Sequence, residues 1–203
     1  MMSPDPHSLG RRERNKQAKL TRIVAAATEL FAQRKVDDVT IQEIADKADI
    51  GTGTLFLYVK SKGDLLLLVQ NARYAAGLER GLIAAEKASS VLDAVIALAT
   101  PIVECNRSPI DNGLTYLREM MFGDPTEPNR AAALAIVGQT QQTVADFIVQ
   151  YTGRDAADAA PRAQAISAIL FLTMAAHASP EFSVPQVVEA IRAQVATVLP
   201  ADS

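Results

Sequence analysis

The sequence has 203 residues, 49% hydrophobic and 21% charged, with one Cys, two His and no Trp. That composition suits a folded chain of one or two domains and excludes both an intrachain disulfide framework and a zinc site built from His and Cys. The net charge of −3 hides an asymmetry: residues 1–35 carry eight Lys/Arg against three acids, whereas residues 65–203 carry nine against fourteen, so the basic charge that suits a polyanion is gathered at one end.

The polar stretch 1–10 has no apolar core of a secretory leader, and no run approaches the roughly 18 apolar residues of a membrane span. With a single Cys, the reading is a cytoplasmic protein with no membrane partner, no cofactor and no metal. Almost every segment reads as helix, because Ala is abundant and period-two β-branched runs are absent. The first helix is expected from about Asn15 to Arg34, with Leu20, Ile23, Val24, Ala27, Leu30 and Phe31 at helical spacing. Thr40 with Glu43 is a capping box that opens a second helix ending near Ala48. A third runs from about Gly51 to Val59. Ser61 and Asp64 cap a long fourth helix, Lys62 to about Lys87, which Gly77 and Gly81 are expected to bend or weaken.

A fifth helix follows Ser89 and Ser90 to about Arg107, kinked at Pro101. Ser108 is the expected N-cap of the sixth, with Pro109 as its first residue and Gly123 at its end. The seventh runs to about Thr152 and stops at Gly153. Pro161 is read as opening the eighth, to about Ser179. Ser183 with Gln186 is a second capping box, opening the ninth, which Pro200 stops. The fold class expected is therefore all-α, about nine helices.

The informative stretch is Ile41 to Tyr58. Two short helices meet there at a sharp turn, with Ile44, Ala48, Ile50, Leu55 and Tyr58 at the packing positions of a helix-turn-helix. Ala45 stands where the helices approach closely. Asp49 occupies the turn position that calls for positive φ, which Asp tolerates better than most residues. Such a unit offers its second helix to the DNA major groove.

Through Ala26-Ala27, Leu30-Phe31, Thr40, Ile44-Ala45, Gly53-Thr54-Leu55, Tyr58 and Ser61-Lys62, the segment Arg22 to Leu68 resembles the TetR family of transcriptional regulators. The resemblance implies an N-terminal three-helix DNA-binding domain (1–62) and a C-terminal helical ligand-binding and dimerisation domain (63–203). It implies a homodimeric regulator, a repressor, that binds a palindromic operator on double-stranded DNA and is released by a small apolar or amphipathic effector. Lys35, Asp49, Gly51 and Phe56 depart from the family pattern. Phe56 stands where the family usually has a Tyr whose hydroxyl reaches phosphate.

Roles on the DNA side follow from residue chemistry. Lys62, at a helix N-terminus, suits phosphate, and so does the Tyr58 hydroxyl. Gly53 lets backbone come close to a duplex. Thr52, Thr54 and Leu57 are placed for base edges or thymine methyls, Gln42 for adenine, and Thr40 for its own helix cap and then phosphate. Lys19, with Arg11, Arg12, Arg14 and Lys16, adds phosphate attraction or forms a minor-groove arm. The alternative for each is a structural or solvated residue.

In the larger part, Tyr116, Met120, Met121, Phe147, Tyr151 and His177 are the candidates for a ligand pocket; each is also of a type that commonly sits in a core. Cys105 is read as a redox-sensitive thiol or a small core residue. The last two helices are apolar on more than one face. Ile166, Ile169, Leu172, Val188, Ile191 and Val195 are the candidates for a two-fold, four-helix interface with a second copy. The sequence offers no catalytic triad spacing and no Gly-rich phosphate loop, so it does not read as an enzyme. The remaining alternative is an all-helical ligand-binding or interaction module that does not bind DNA.

Overall fold

A computed structural model describes residues 10–200. Among these, the chain forms nine α-helices: α1 (Arg11–Gln33), α2 (Ile41–Lys47), α3 (Thr52–Leu55), α4 (Lys62–Ala85), α5 (Val91–Asn106), α6 (Ile110–Phe122), α7 (Pro128–Thr152), α8 (Ala156–Ala176) and α9 (Val184–Val198). A 3₁₀ turn, Val36–Asp38, joins α1 to α2.

Local sequence rules account for most boundaries. Thr40 accepts the Glu43 N–H and Glu43 accepts the Thr40 N–H, closing the box that starts α2, and Ser183 with Gln186 does the same for α9. Ser61 and Ser90 cap α4 and α5, and Gly153, at φ 66°, ends α7. Four expectations need correction. α1 begins at Arg11, so the basic residues from Arg11 to Lys19 are helical and not an extended arm. α3 ends at Leu55, because the Leu57 and Tyr58 N–H groups bond three residues back and tighten the chain into turns. α6 is entered through Pro109 in extended conformation, not capped by Ser108, whose carbonyl instead accepts Arg73 Nη1. α8 starts five residues before Pro161, because Asp155 accepts the Asp158 N–H and caps it there.

α4 is the central spine, packed against α1, α5, α6 and α7, while α9 closes over α5 and α8. It does not break at its glycines. A Cβ on Gly81 would lie 2.6 Å from the Leu98 carbonyl oxygen, so glycine is what lets α4 cross α5 at backbone contact. Gly113 likewise presses α6 against the Asn106 carbonyl. The N-terminal helices share one apolar core with the spine, in which Ile23, Ala27, Val39, Ile44, Ala45, Leu55, Leu65 and Leu66 are completely buried.

α8 is long and apolar enough to cross a membrane by length and composition, contrary to the sequence reading. Here Ala159, Ala163, Ile166, Leu170, Thr173 and Met174 are buried against the chain's own core. Ile166, Ile191 and Val195, expected at an interface between copies, are also buried within the single chain, at 1%, 0% and 0% exposure. The inward stripe of each helix takes them, and Leu172 is left outside at 65%.

Candidate nucleic-acid interface and ligand cavity

The turn between α2 and α3 is a Schellman closure: the Ile50 N–H bonds the Ala45 carbonyl at 3.0 Å and the Asp49 N–H bonds Asp46 at 3.1 Å. This places Asp49 at φ 54°, the left-handed region the sequence called for. Arg22 of α1 then fixes the turn, with Nη1 3.0 Å from the Asp49 carboxylate and 3.4 Å from its carbonyl. Arg34–Glu43 and Lys47–Glu29 tie α1 to α2 in the same way. The Thr40 donors, above all, and Arg34 hold the Glu43 carboxyl at about 2, well below its ordinary 4.5.

The exposed edge of this unit carries Gln42, Gly53 and Leu57, with Thr52, Thr54 and Tyr58 half-buried beside them. A Cβ at Gly53 would meet nothing within 4 Å, so the fold itself does not require glycine there. Leu57 is 81% exposed. Among the described residues the Tyr58 hydroxyl has no hydrogen-bond partner, whereas Gln42 Nε2 donates to Asp46 at 2.6 Å. Lys19 is exposed on the outer face of α1. Lys62 is placed differently from expectation. Its ammonium donates to the carbonyls of Val36, Asp37 and Val39, each at 3.1 Å, so its three protons are committed to holding the 3₁₀ turn.

Behind this unit lies a cavity of about 520 Å³ between α4, α5, α6, α7 and α8. Tyr116, Met120 and Met121 line it, as the sequence suggested. Phe147, Tyr151 and His177 do not. The Tyr151 hydroxyl donates to the Ala88 carbonyl near the far end of α7. His177 sits at the α8 terminus, its Nδ1 2.8 Å from the Thr173 carbonyl and its ring edge-on to Phe182. Arg107 locks that corner by donating to the His177, Ser179 and Phe182 carbonyls. Sequence reasoning missed Tyr74, whose ring stacks on Tyr116 at 4.5 Å and forms a wall of the cavity. Burial raises both phenols far above their ordinary range, so both stay protonated. Cys105 is buried, its thiol 3.4 Å from the Arg73 carbonyl, as a small core residue would be.

Two polar connections run from the cavity to the N-terminal unit. On α6, Asn112 is 1% exposed: its Nδ2 donates to the Phe31 and Arg34 carbonyls and its Oδ1 accepts the Val36 N–H at 2.7 Å. The second begins at the Tyr116 hydroxyl, which donates to Asn71 Oδ1. Asn71 donates to the Asn129 carbonyl, and Asn129 Nδ2 donates to Asp64, whose other oxygen accepts the Lys60 N–H. Lys60 also pairs with buried Glu127 at 2.9 Å, which raises its pKa.

Comparison with known proteins bears on both halves. The profile of the bacterial regulatory proteins of the tetR family matches residues 23–69, which hold the whole helix-turn-helix. The N-terminal unit is therefore similar to the DNA-binding part of the TetR family. Solved structures extend the likeness of fold over nearly all of the chain. A TetR transcriptional regulator from Rhodococcus sp. RHA1 is 18% identical with a TM-score of 0.65, covering 93% of this chain and 100% of that one. FadR of Thermus thermophilus, a TetR-family transcriptional repressor in complex with lauroyl-CoA, is 22% identical with a TM-score of 0.70, covering 90% and 96%. A TetR-family transcriptional regulator from Streptomyces coelicolor is 24% identical with a TM-score of 0.63, covering 90% and 95%. A search of curated proteins finds no match.

Proposed function

We propose that this chain is a TetR-family regulator, a cytoplasmic homodimeric repressor that binds a palindromic operator through α2 and α3 and is released by a small apolar or amphipathic effector in the cavity. The division of labour falls at residue 62, with 1–62 for DNA and 63–203 for effector and dimer. The observation that carries the reading is α6. Its Asn112 is bonded to the carbonyls at the end of α1, and its Tyr116 is a wall of the cavity. An occupant that shifts α6 must disturb the seat of the helix-turn-helix, so the occupied and empty states differ in affinity for DNA.

On the DNA side, Gly53, Thr52, Thr54, Leu57 and the unpartnered Tyr58 hydroxyl are the contact set, with Lys19 on phosphate. The openness around Gly53 supports this, since nothing inside the protein explains a glycine there. Gln42 reads a base only by giving up Asp46, and Thr40 serves its cap first. Lys62 acts as a strut that holds the 3₁₀ turn against α4. For the dimer, the outward face of α8, with Ile169 and exposed Leu172, and Val188 of α9 support an isologous contact. Two recognition elements then meet successive major grooves about 34 Å apart.

The test is selection of duplexes from a random pool, followed by anisotropy titration of the selected site at increasing salt and a mass measurement of the free protein. Dimeric mass, an inverted-repeat site and a steep fall of affinity with salt are expected. A monomer, or indifference to every duplex at low salt, removes the proposal.

A further inference from the structure

We propose that the effector is an uncharged molecule: an elongated apolar body with one neutral hydrogen-bonding group, such as a hydroxyl, ester or amide, and no ionised head. The inference rests on the reading of the cavity as the effector site and narrows it.

None of the side chains that line the cavity is charged. Two inner hydroxyl protons are already committed, that of Tyr116 to Asn71 and that of Thr140 to the Ile136 carbonyl, while the Tyr74 hydroxyl accepts Asn106 Nδ2 and keeps its own proton. An ion placed among them would lose its hydration and gain no counter-charge, so a carboxylate, phosphate or ammonium is disfavoured inside the cavity. The lining polar side chains that have no partner among the described residues are Gln141, Gln164 and Ser167, an amide on α7 and an amide and a hydroxyl one turn apart on α8. They offer neutral donors and acceptors on the α7 and α8 walls of a largely apolar space. The volume, about 520 Å³, lies within the ~300–1,000 Å³ of small-molecule sites. A ligand that fills it with hydrocarbon and turns a neutral group toward the α7–α8 seam matches the uncharged lining and these three polar side chains.

The experiment titrates the full chain at pH 8, by calorimetry, with four probes of one chain length: 1-decanol, decanoate, decyltrimethylammonium and decanoyl-CoA. Decanol is expected to bind about tenfold or more tightly than each charged probe. Ala168→Trp, which fills the cavity from the outward side of α8, is expected to abolish that binding with helicity retained, and Met121→Trp repeats the block from α6. If decanoate, the cation or decanoyl-CoA binds as tightly as decanol, and the Trp variants block it, the uncharged class is wrong while the cavity remains the effector site. If nothing binds, or binding ignores both Trp variants, the cavity reading itself falls and this inference with it.

Discussion

Asn112 and Tyr116 stand one turn apart on α6. The first is bonded to the α1 carbonyls and to the Val36 N–H, and the second presents its ring to the cavity and its hydroxyl to Asn71. On a helix, positions four apart share a face, so one rigid turn joins the ligand space to the seat of the DNA-binding unit.

Asn112→Ala is expected to cost on the order of 3 kcal/mol, because it leaves two carbonyls and one N–H without partners in a buried place. Urea unfolding measures this. A cost below about 1 kcal/mol would mean that the Asn112 bonds are not a real tie between the two parts.

Tyr116→Phe keeps the stack on Tyr74 and removes only the bond to Asn71. Binding of a cavity ligand is expected to change little, while the loss of DNA affinity on saturation shrinks. Because coupling is reciprocal, the DNA-bound protein must then discriminate less against ligand. Calorimetry with and without operator gives both numbers. Unchanged coupling would assign transmission to Asn112 alone.

Lys62→Met is expected to destabilise the fold by about 1.5–3 kcal/mol through the loss of a cation held by three carbonyls. The salt dependence of DNA binding should hardly move. Lys19→Ala should do the opposite, lowering the salt slope by about 1 with little effect on stability. Exchanged outcomes would return Lys62 to phosphate.

Glu43 gives the pH dependence. Its carboxyl is held at about 2 against an ordinary 4.5, so its stabilising bonds are complete above 4.5 and lost as pH falls toward 2. Glu43→Gln is expected to flatten that part of the acid-unfolding curve, read by helix ellipticity. The same slope in both proteins would show that the Thr40 and Arg34 bonds contribute nothing to folding.

What the sequence made legible was what neighbouring residues decide. The Thr40–Glu43 and Ser183–Gln186 boxes lie within one turn, and Asp49 declares its φ by position and side chain. Pro161 misled because a proline is tolerated inside α8 once Asp155 has capped it upstream. Ile166, Ile191 and Val195 misled for another reason. On helices apolar all round, which stripe faces inward is set by the crossing helices and not by the helix itself. Asn71, Asn112 and Asn129 carried no sequence signal, since what marks each amide is a partner 45 to 81 residues away.

The bare backbone at Gly81, wedged on the Leu98 carbonyl, gives α4 a fulcrum. From there to Lys62 the helix is a lever arm of roughly 28 Å, at about 1.5 Å per residue. A tilt of about 5° about that point carries the far tip through roughly 2.5 Å, which in the proposed dimer would change the spacing of its two reading heads along a duplex.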